Sequence, residues 1–127
     1  MHTRRKRRHD ERGSTTIEMV IVFPVVMSIL WLALQAAIGY YGRTAALAAA
    51  ESGARASAVE HGTLADCYTA AEGVLAGVRD AVTSASVTCT RSAATVQATI
   101  NADALAVGPW PAPHLQVTAE LPVERIT

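Results

Sequence analysis

The longest apolar stretch of the chain lies near its N-terminus, where residues 19–42 carry no charged side chain. As a helix rising about 1.5 Å per residue it would be about 36 Å long, and the hydrocarbon core of a bilayer is about 30 Å thick. The stretch therefore predicts a transmembrane helix.

Three residues inside this stretch differ from their apolar neighbours. Pro24 predicts a kink in the helix. Ser28 and Gln35 share one face and could bond either a neighbouring helix or their own backbone.

Alanine dominates residues 44–58, and because alanine is the strongest helix former, the helix is predicted to continue to about residue 59. Small residues recur every fourth position in two strips, Ala45, Ala49 and Gly53 in one and Ala46, Ala50 and Ala54 in the other. Such strips allow a second helix to approach closely, as in an assembly of subunits. The alternative is that they face water or this protein's own C-terminal part.

His61 and Gly62 interrupt the helical pattern, and two different periods follow. From about residue 64 to residue 84 apolar residues recur at spacings of three and four, which predicts an amphipathic helix. Apolar and polar residues then alternate in three stretches, which predicts strands at 86–90, 95–100 and 115–121. The link at 92–93 is short enough for a hairpin. These patterns predict an α+β fold, in which a long transmembrane helix extends outside the membrane and precedes a small domain of one helix on a three-stranded antiparallel sheet.

These patterns divide the chain into three segments. They are a basic leader at 1–13, the long helix at 14–60 with its span at about 19–42, and a small extracytoplasmic domain at 61–127.

A domain of this size buries little apolar surface, so a covalent staple is expected. Cys67 and Cys89 are the only cysteines and fall on the apolar side of the predicted helix and first strand. In an oxidising compartment they would form a disulfide that stabilises the domain by roughly 3 to 4 kcal/mol. Two buried free thiols or a metal site are the alternatives. A metal site is disfavoured because the histidines are far apart in the chain, at His2, His9, His61 and His114.

Charge is distributed unevenly along the chain. Six of the eleven basic residues lie in the first twelve positions, at Arg4, Arg5, Lys6, Arg7, Arg8 and Arg12. Because the basic flank of a span stays in the cytoplasm, the protein is predicted to be a single-pass protein of the cell membrane with its C-terminal domain outside the cytoplasm. The basic run could also contact anionic lipid. Residues 14–127 contain nine acidic and five basic residues, so no nucleic-acid partner is expected.

A cleaved secretory signal peptide is the alternative to a permanent span. Signal peptides also begin with basic residues, but their apolar core runs about 7 to 15 residues, which is shorter than this stretch. Sequences of the Ala-x-Ala type near Ala48 to Ala50 would be the cleavage sites. Cleavage there would release a secreted soluble domain.

The residues around this stretch carry a resemblance to a known family. The run RGSTTIEMVIVFPVVM, with Glu18 five residues after Gly13, resembles the processing site of type IV prepilins and pseudopilins. Together with YYGRTAALAAAESGARASA it is similar to the TadE-like proteins (TadE and TadF) of the tight-adherence, or Flp, pilus system. The resemblance covers roughly residues 12–58.

The resemblance implies a role in pilus assembly. A membrane prepilin peptidase would cut after Gly13 and leave Ser14 as the new N-terminus, and the partners would be pilus assembly platform proteins and other pilin-like subunits. Glu18 would guide cutting or assembly by meeting an N-terminal amine, or else it lies in the headgroup region without a role. A signal-anchored or secreted envelope binding protein unrelated to pili is the alternative.

Trp110 stands among Pro109, Pro111 and Pro113 in a stretch that favours an extended loop. It could contact a partner, although folding back over the sheet is the more common arrangement.

The chain contains no GxSxG, HExxH or phosphate-binding glycine loop. We therefore expect no enzyme activity, no catalytic residue, no cofactor, no metal and no small-molecule substrate.

Overall fold

A computed structural model describes residues 11–125 of the chain. The elements are α1 (Glu11–Ala58), α2 (Leu64–Gly77), β1 (Val82–Arg91), β2 (Thr95–Ala104) and β3 (His114–Pro122). The described residues divide into two compact units, one up to Leu34 and one from Gln35 onwards. The predicted α+β fold class is confirmed, with a long N-terminal apolar helix followed by one helix and a three-stranded antiparallel sheet.

The sheet has the order β1-β2-β3, and both neighbouring pairs are antiparallel. The predicted hairpin joins β1 to β2, where the Ser92 N–H donates to the Thr95 carbonyl over 2.8 Å. Near its start β1 is irregular, because the pairing register shifts between Thr83 and Ser86 and Ser84 has a φ of 53°. This conformation accommodates an extra residue in β1 as a bulge.

Helix α2 starts at a capping box. The Thr63 hydroxyl accepts from the Asp66 N–H at 3.3 Å, while the Asp66 carboxylate accepts from the Thr63 N–H at 2.8 Å. These two bonds satisfy amide groups that have no partner within the helix. The bonds from the Thr63 backbone and hydroxyl lower the pKa of the Asp66 carboxyl, because they favour its ionised form.

The predicted end of this helix near residue 84 is wrong, since α2 ends at Gly77. The N–H groups of Ala81 and Val82 both donate to the Val78 carbonyl, at 2.9 and 3.2 Å, and form a turn. Val82 then pairs with Ala104 as the first residue of β1. The spacing of four between Val78 and Val82 resembles a helical repeat, but these two residues flank a turn.

The compact unit from Gln35 onwards is called the folded unit below, and the second half of α1 belongs to its core. Its buried residues Ala45, Ala46, Ala49, Ala50 and Ala54 form one cluster with buried residues of α2 and of one sheet face, among them Cys67, Ala71, Cys89, Ala98, Ile100 and Val117. At the far end of α1 the Glu124 N–H donates to the Ala58 carbonyl over 2.8 Å. Of the alternatives for the two small-residue strips, packing against the protein's own C-terminal part is therefore the one observed.

Close packing explains why small residues stand here. A Cβ on Gly53 would come within 2.9 Å of the Cys67 carbonyl oxygen and 3.1 Å of the Ala71 Cβ. A Cβ on Gly42 would come within 3.2 Å of the Ala81 carbonyl oxygen. Larger side chains at these positions would push α1 away from α2 and from the turn before β1.

The disulfide between Cys67 and Cys89 joins α2 to β1, with a Cα–Cα distance of 6.4 Å. Both cysteines are buried, and the Tyr68 hydroxyl accepts from the Cys89 N–H at 3.3 Å. The predicted disulfide is thus present in the structure. Its partners are 22 residues apart in the chain, and closing a loop of that length stabilises a fold by about 3 to 4 kcal/mol in the chain-entropy model.

Candidate membrane anchor and processing site

Large apolar side chains are exposed all along the first part of α1. They are Ile17, Met19, Val20, Ile21, Val22, Phe23, Val25, Val26, Met27, Ile29, Leu30, Trp31, Leu32 and Leu34, with exposed fractions between 40% and 68%. A helix that is apolar on every side is stable in apolar surroundings rather than in water. By length and composition α1 can cross a membrane, so it is a candidate membrane anchor.

Proline and serine form a local motif inside this segment. Pro24 lies within α1 and lacks the N–H of a normal helical residue. The Ser28 hydroxyl donates to the Pro24 carbonyl over 2.7 Å. Of the two alternatives for Ser28, a bond to its own helix is therefore observed. The kink at Pro24 stays a prediction.

The predicted processing residues lie together in the first turns of α1. Gly13 is exposed, and a Cβ built on it would meet nothing within 4 Å. Ser14 and Glu18 are both within the helix, four residues apart, and Glu18 is exposed. Residues four apart lie on the same helical face. An ammonium group created at Ser14 would therefore lie on the side of the helix that carries the Glu18 carboxylate.

The segment that contains these processing residues matches a known protein family. The family model described as "TadE-like protein" matches residues 13–55. Residues 13–55 are thus similar to that family, and we call them the TadE-like segment. The predicted resemblance is confirmed over these residues, which start at Gly13, contain Glu18 and end three residues before the end of α1. No curated protein and no solved structure matches the chain.

Gln35, near the middle of the TadE-like segment, has a role that neither sequence alternative included. Its side-chain amide accepts from the Val107 N–H at 3.0 Å and donates to the Leu105 carbonyl at 3.4 Å. Both partners belong to the β2–β3 loop, residues 105–113. The one sign of this role in the sequence is an amide side chain within an otherwise apolar run, and a sequence cannot reveal a partner 70 residues away.

Trp110 lies in the β2–β3 loop with 63% of its surface exposed. The structure does not show it packed over the sheet, which was the expected arrangement, because most of its surface and the prolines on either side are exposed. Its role as a partner contact stays a prediction.

The predicted site residues thus fall into three separate places. Gly13, Ser14 and Glu18 lie at the start of the TadE-like segment, the two cysteines lie in the core, and Trp110 lies in the β2–β3 loop. Among residues 11–125, no group of three or more His, Cys, Asp or Glu side chains is placed to hold a metal ion.

Proposed function

We propose that this protein is a TadE-like pseudopilin, a membrane-anchored component needed to assemble Flp (tight-adherence) pili, and that a prepilin peptidase cuts it after Gly13. The observation that carries the proposal is the extent of the family match. It begins at Gly13, includes Glu18, and takes in the exposed apolar residues of α1. The protein is then a substrate and a subunit rather than an enzyme.

The proposed orientation follows from the charges beside the anchor. The basic leader before Gly13 stays in the cytoplasm, where a prepilin peptidase would cut, and residues after the anchor are exported. A disulfide in the C-terminal part supports export, since such bonds persist in oxidising compartments. Assembly platform proteins and other pilin-like subunits are the partners in this proposal.

Glu18 has a direct physical role in the proposal. Placing a carboxylate at the start of an apolar helix in a membrane costs free energy unless a cation pairs with it. Cutting after Gly13 creates an ammonium group on Ser14, one helical turn before Glu18. The same carboxylate could accept the ammonium group of a neighbouring subunit, which would fix the axial position of one anchor against the next.

Release by signal peptidase near Ala48 to Ala50 is less compatible with the fold. Ala49 and Ala50 are buried in the core, and residues on both sides of them pack in the same cluster. Cleavage there would remove the preceding part of α1 from a small core. The folded unit therefore favours a protein that keeps α1 whole.

The test is intact-mass and N-terminal peptide analysis of protein from the membrane fraction, with and without a co-expressed prepilin peptidase. We expect a Ser14 N-terminus that depends on the peptidase and is lost in Gly13→Ala. Gly39→Ala, in the same helix, is the matched control and should be cut normally. An uncut chain in the presence of an active peptidase would leave an anchored envelope protein of another function. A soluble product starting near Glu51 would show that α1 contains a signal peptide.

A further inference from the structure

The β2–β3 loop, residues 105–113, combines exposure with a lack of charge. Its sequence is LAVGPWPAP, and Leu105 and Trp110 are 39% and 63% exposed. Removing a large apolar side chain from water is favourable, so burial of these two side chains would stabilise a contact. The exposed part of the loop is a surface suited to an apolar or interfacial environment.

Hydrogen bonds fix the base of this loop at a defined level of α1. The loop forms hydrogen bonds with both polar side-chain atoms of Gln35, Oε1 and Nε2, and the Leu105 N–H donates to the Ala81 carbonyl at 3.2 Å. Gln35 directly follows Leu34, the last residue of the exposed apolar run. The loop base is therefore bonded to the residue that directly follows the candidate membrane anchor in the chain.

The opposite end of the folded unit has a different surface. At the β1–β2 hairpin, Arg91 donates to the Val59 carbonyl at 3.5 Å and Arg125 donates to the Ala93 carbonyl at 2.6 Å. Glu60 and Glu124 line the same region. The hairpin end thus presents charged side chains, whereas the loop end presents Trp110, Leu105 and prolines. Polar and charged side chains also occur near the loop end. His114 Nδ1 lies 3.0 Å from Asp103 Oδ1, and Arg79 and Asp80 are neighbours in the chain.

We propose that the β2–β3 loop is a membrane-surface contact, in which Trp110 and Leu105 enter the headgroup layer of the bilayer that holds the first part of α1. Tryptophan favours this layer because its ring is apolar and its indole N–H can bond to lipid or water. Tyr40 and Tyr41, which are exposed one to two turns beyond Gln35, belong to the same interfacial region. The proposal rests on the membrane anchoring in the proposed function, and it assigns Gln35 the role of positioning the loop.

Fluorescence quenching in lipid vesicles tests this contact. The full chain is reconstituted in phosphatidylcholine and phosphatidylglycerol vesicles of three kinds, with no bromine, with bromine atoms on the acyl chains near the headgroups, or with bromine atoms near the ends of the acyl chains, at the bilayer centre. Trp31→Phe leaves Trp110 as the sole tryptophan, and Trp110→Phe leaves Trp31. A third protein carries Trp31→Phe, Trp110→Phe and Ala93→Trp, which places the sole tryptophan at the hairpin end as a matched exposed control.

We expect bromine to reduce the Trp110 emission by at least about twofold, as for an interfacial ring, and to leave the tryptophan at residue 93 nearly unchanged. Adding Gln35→Met should reduce the quenching of Trp110 but not that of Trp31, because only the loop loses its hydrogen bonds. Quenching of Trp31 without quenching of Trp110 would overturn the loop proposal and leave the anchor intact. If neither were quenched, the membrane anchoring itself would fail. A Trp110 blue shift that depends on protein density but not on bromine would identify a second copy as the occupant and also overturn the proposal.

Discussion

Helix α1 runs without interruption from Glu11 to Ala58, but the side chains before Gln35 differ from those after it in size and in exposure. The residues before Gln35 include many large apolar side chains that are exposed around the helix. After Gly42 stand alanines that are buried on one side and exposed on the other. Both parts are apolar in composition. Side-chain size, rather than apolarity alone, therefore separates a surface suited to lipid from one suited to a protein core.

The largest effect is expected from charges placed in the first part. Val25→Arg with Ile29→Arg adds two charges to exposed apolar positions, each costing about 2.5 to 3.5 kcal/mol in a membrane. We expect most of the protein to become extractable from membranes by alkaline carbonate. Thr44→Arg with Ala48→Arg is the matched control, since both positions are exposed and have the same spacing. Equal extraction of the two variants would contradict the difference between the two parts.

The disulfide should matter to the folded unit and not to the anchor. Cys67→Ser with Cys89→Ser is expected to lower the free energy of unfolding by about 3 to 4 kcal/mol, because the unfolded chain gains loop entropy. The measurement is thermal unfolding in detergent, followed by circular dichroism. Carbonate extraction of the same variant should match the unmodified protein. An unchanged Tm would mean that the disulfide adds no stability to this core.

A methyl group should have opposite effects at two glycines of α1. Gly53→Ala forces a Cβ against the Cys67 carbonyl and Ala71, and such overpacking costs about 1 to 3 kcal/mol. Gly39→Ala meets nothing within 4 Å and should stabilise the helix by about 0.5 to 1 kcal/mol. Unfolding midpoints in detergent measure both. A higher midpoint for Gly53→Ala would show that α1 does not pack closely against α2.

The smallest expected effect is a pH dependence at the start of α2. The capping box lowers the pKa of Asp66 from its ordinary value of 3.8, so its contribution to stability is present above that value and is lost as the pH falls through the folded-state pKa. Asp66→Asn should therefore lower the Tm at about pH 6, and should lower it less at about pH 3, which is below the ordinary pKa of 3.8. The same Tm difference at both values would assign the effect to something other than the charge.

Local patterns predicted most of the fold. Helix and strand periods indicated all five elements and the hairpin at residues 92–93, and the apolar side of each predicted element placed Cys67 near Cys89. The end of α2 was missed because Val78 and Val82 keep a helical spacing across a turn. Pairing with β2 decides that boundary, and such pairing depends on residues far away in the chain.

Long-range contacts account for what the sequence left open at the candidate sites. The alanine strips could be assigned to the protein's own core only once the sheet was in place. The role of Gln35 becomes visible only in the folded structure, where the Val107 N–H of the β2–β3 loop donates to its side chain. Gly13 and Glu18 were found from their spacing, because a processing motif is read along the chain and needs no tertiary partner.

The alanine surface of α1 also bears on the order of events during export. If the residues after the anchor cross the membrane in chain order, this surface emerges before α2 and the strands that later cover it. Alanine forms helix on its own and exposes little apolar area per residue, so a helix that must wait for its partners is less prone to aggregate than one rich in leucine. The β1–β2 hairpin consists of two strands that are adjacent in the chain, so it can form early and then pack against the alanine surface of α1.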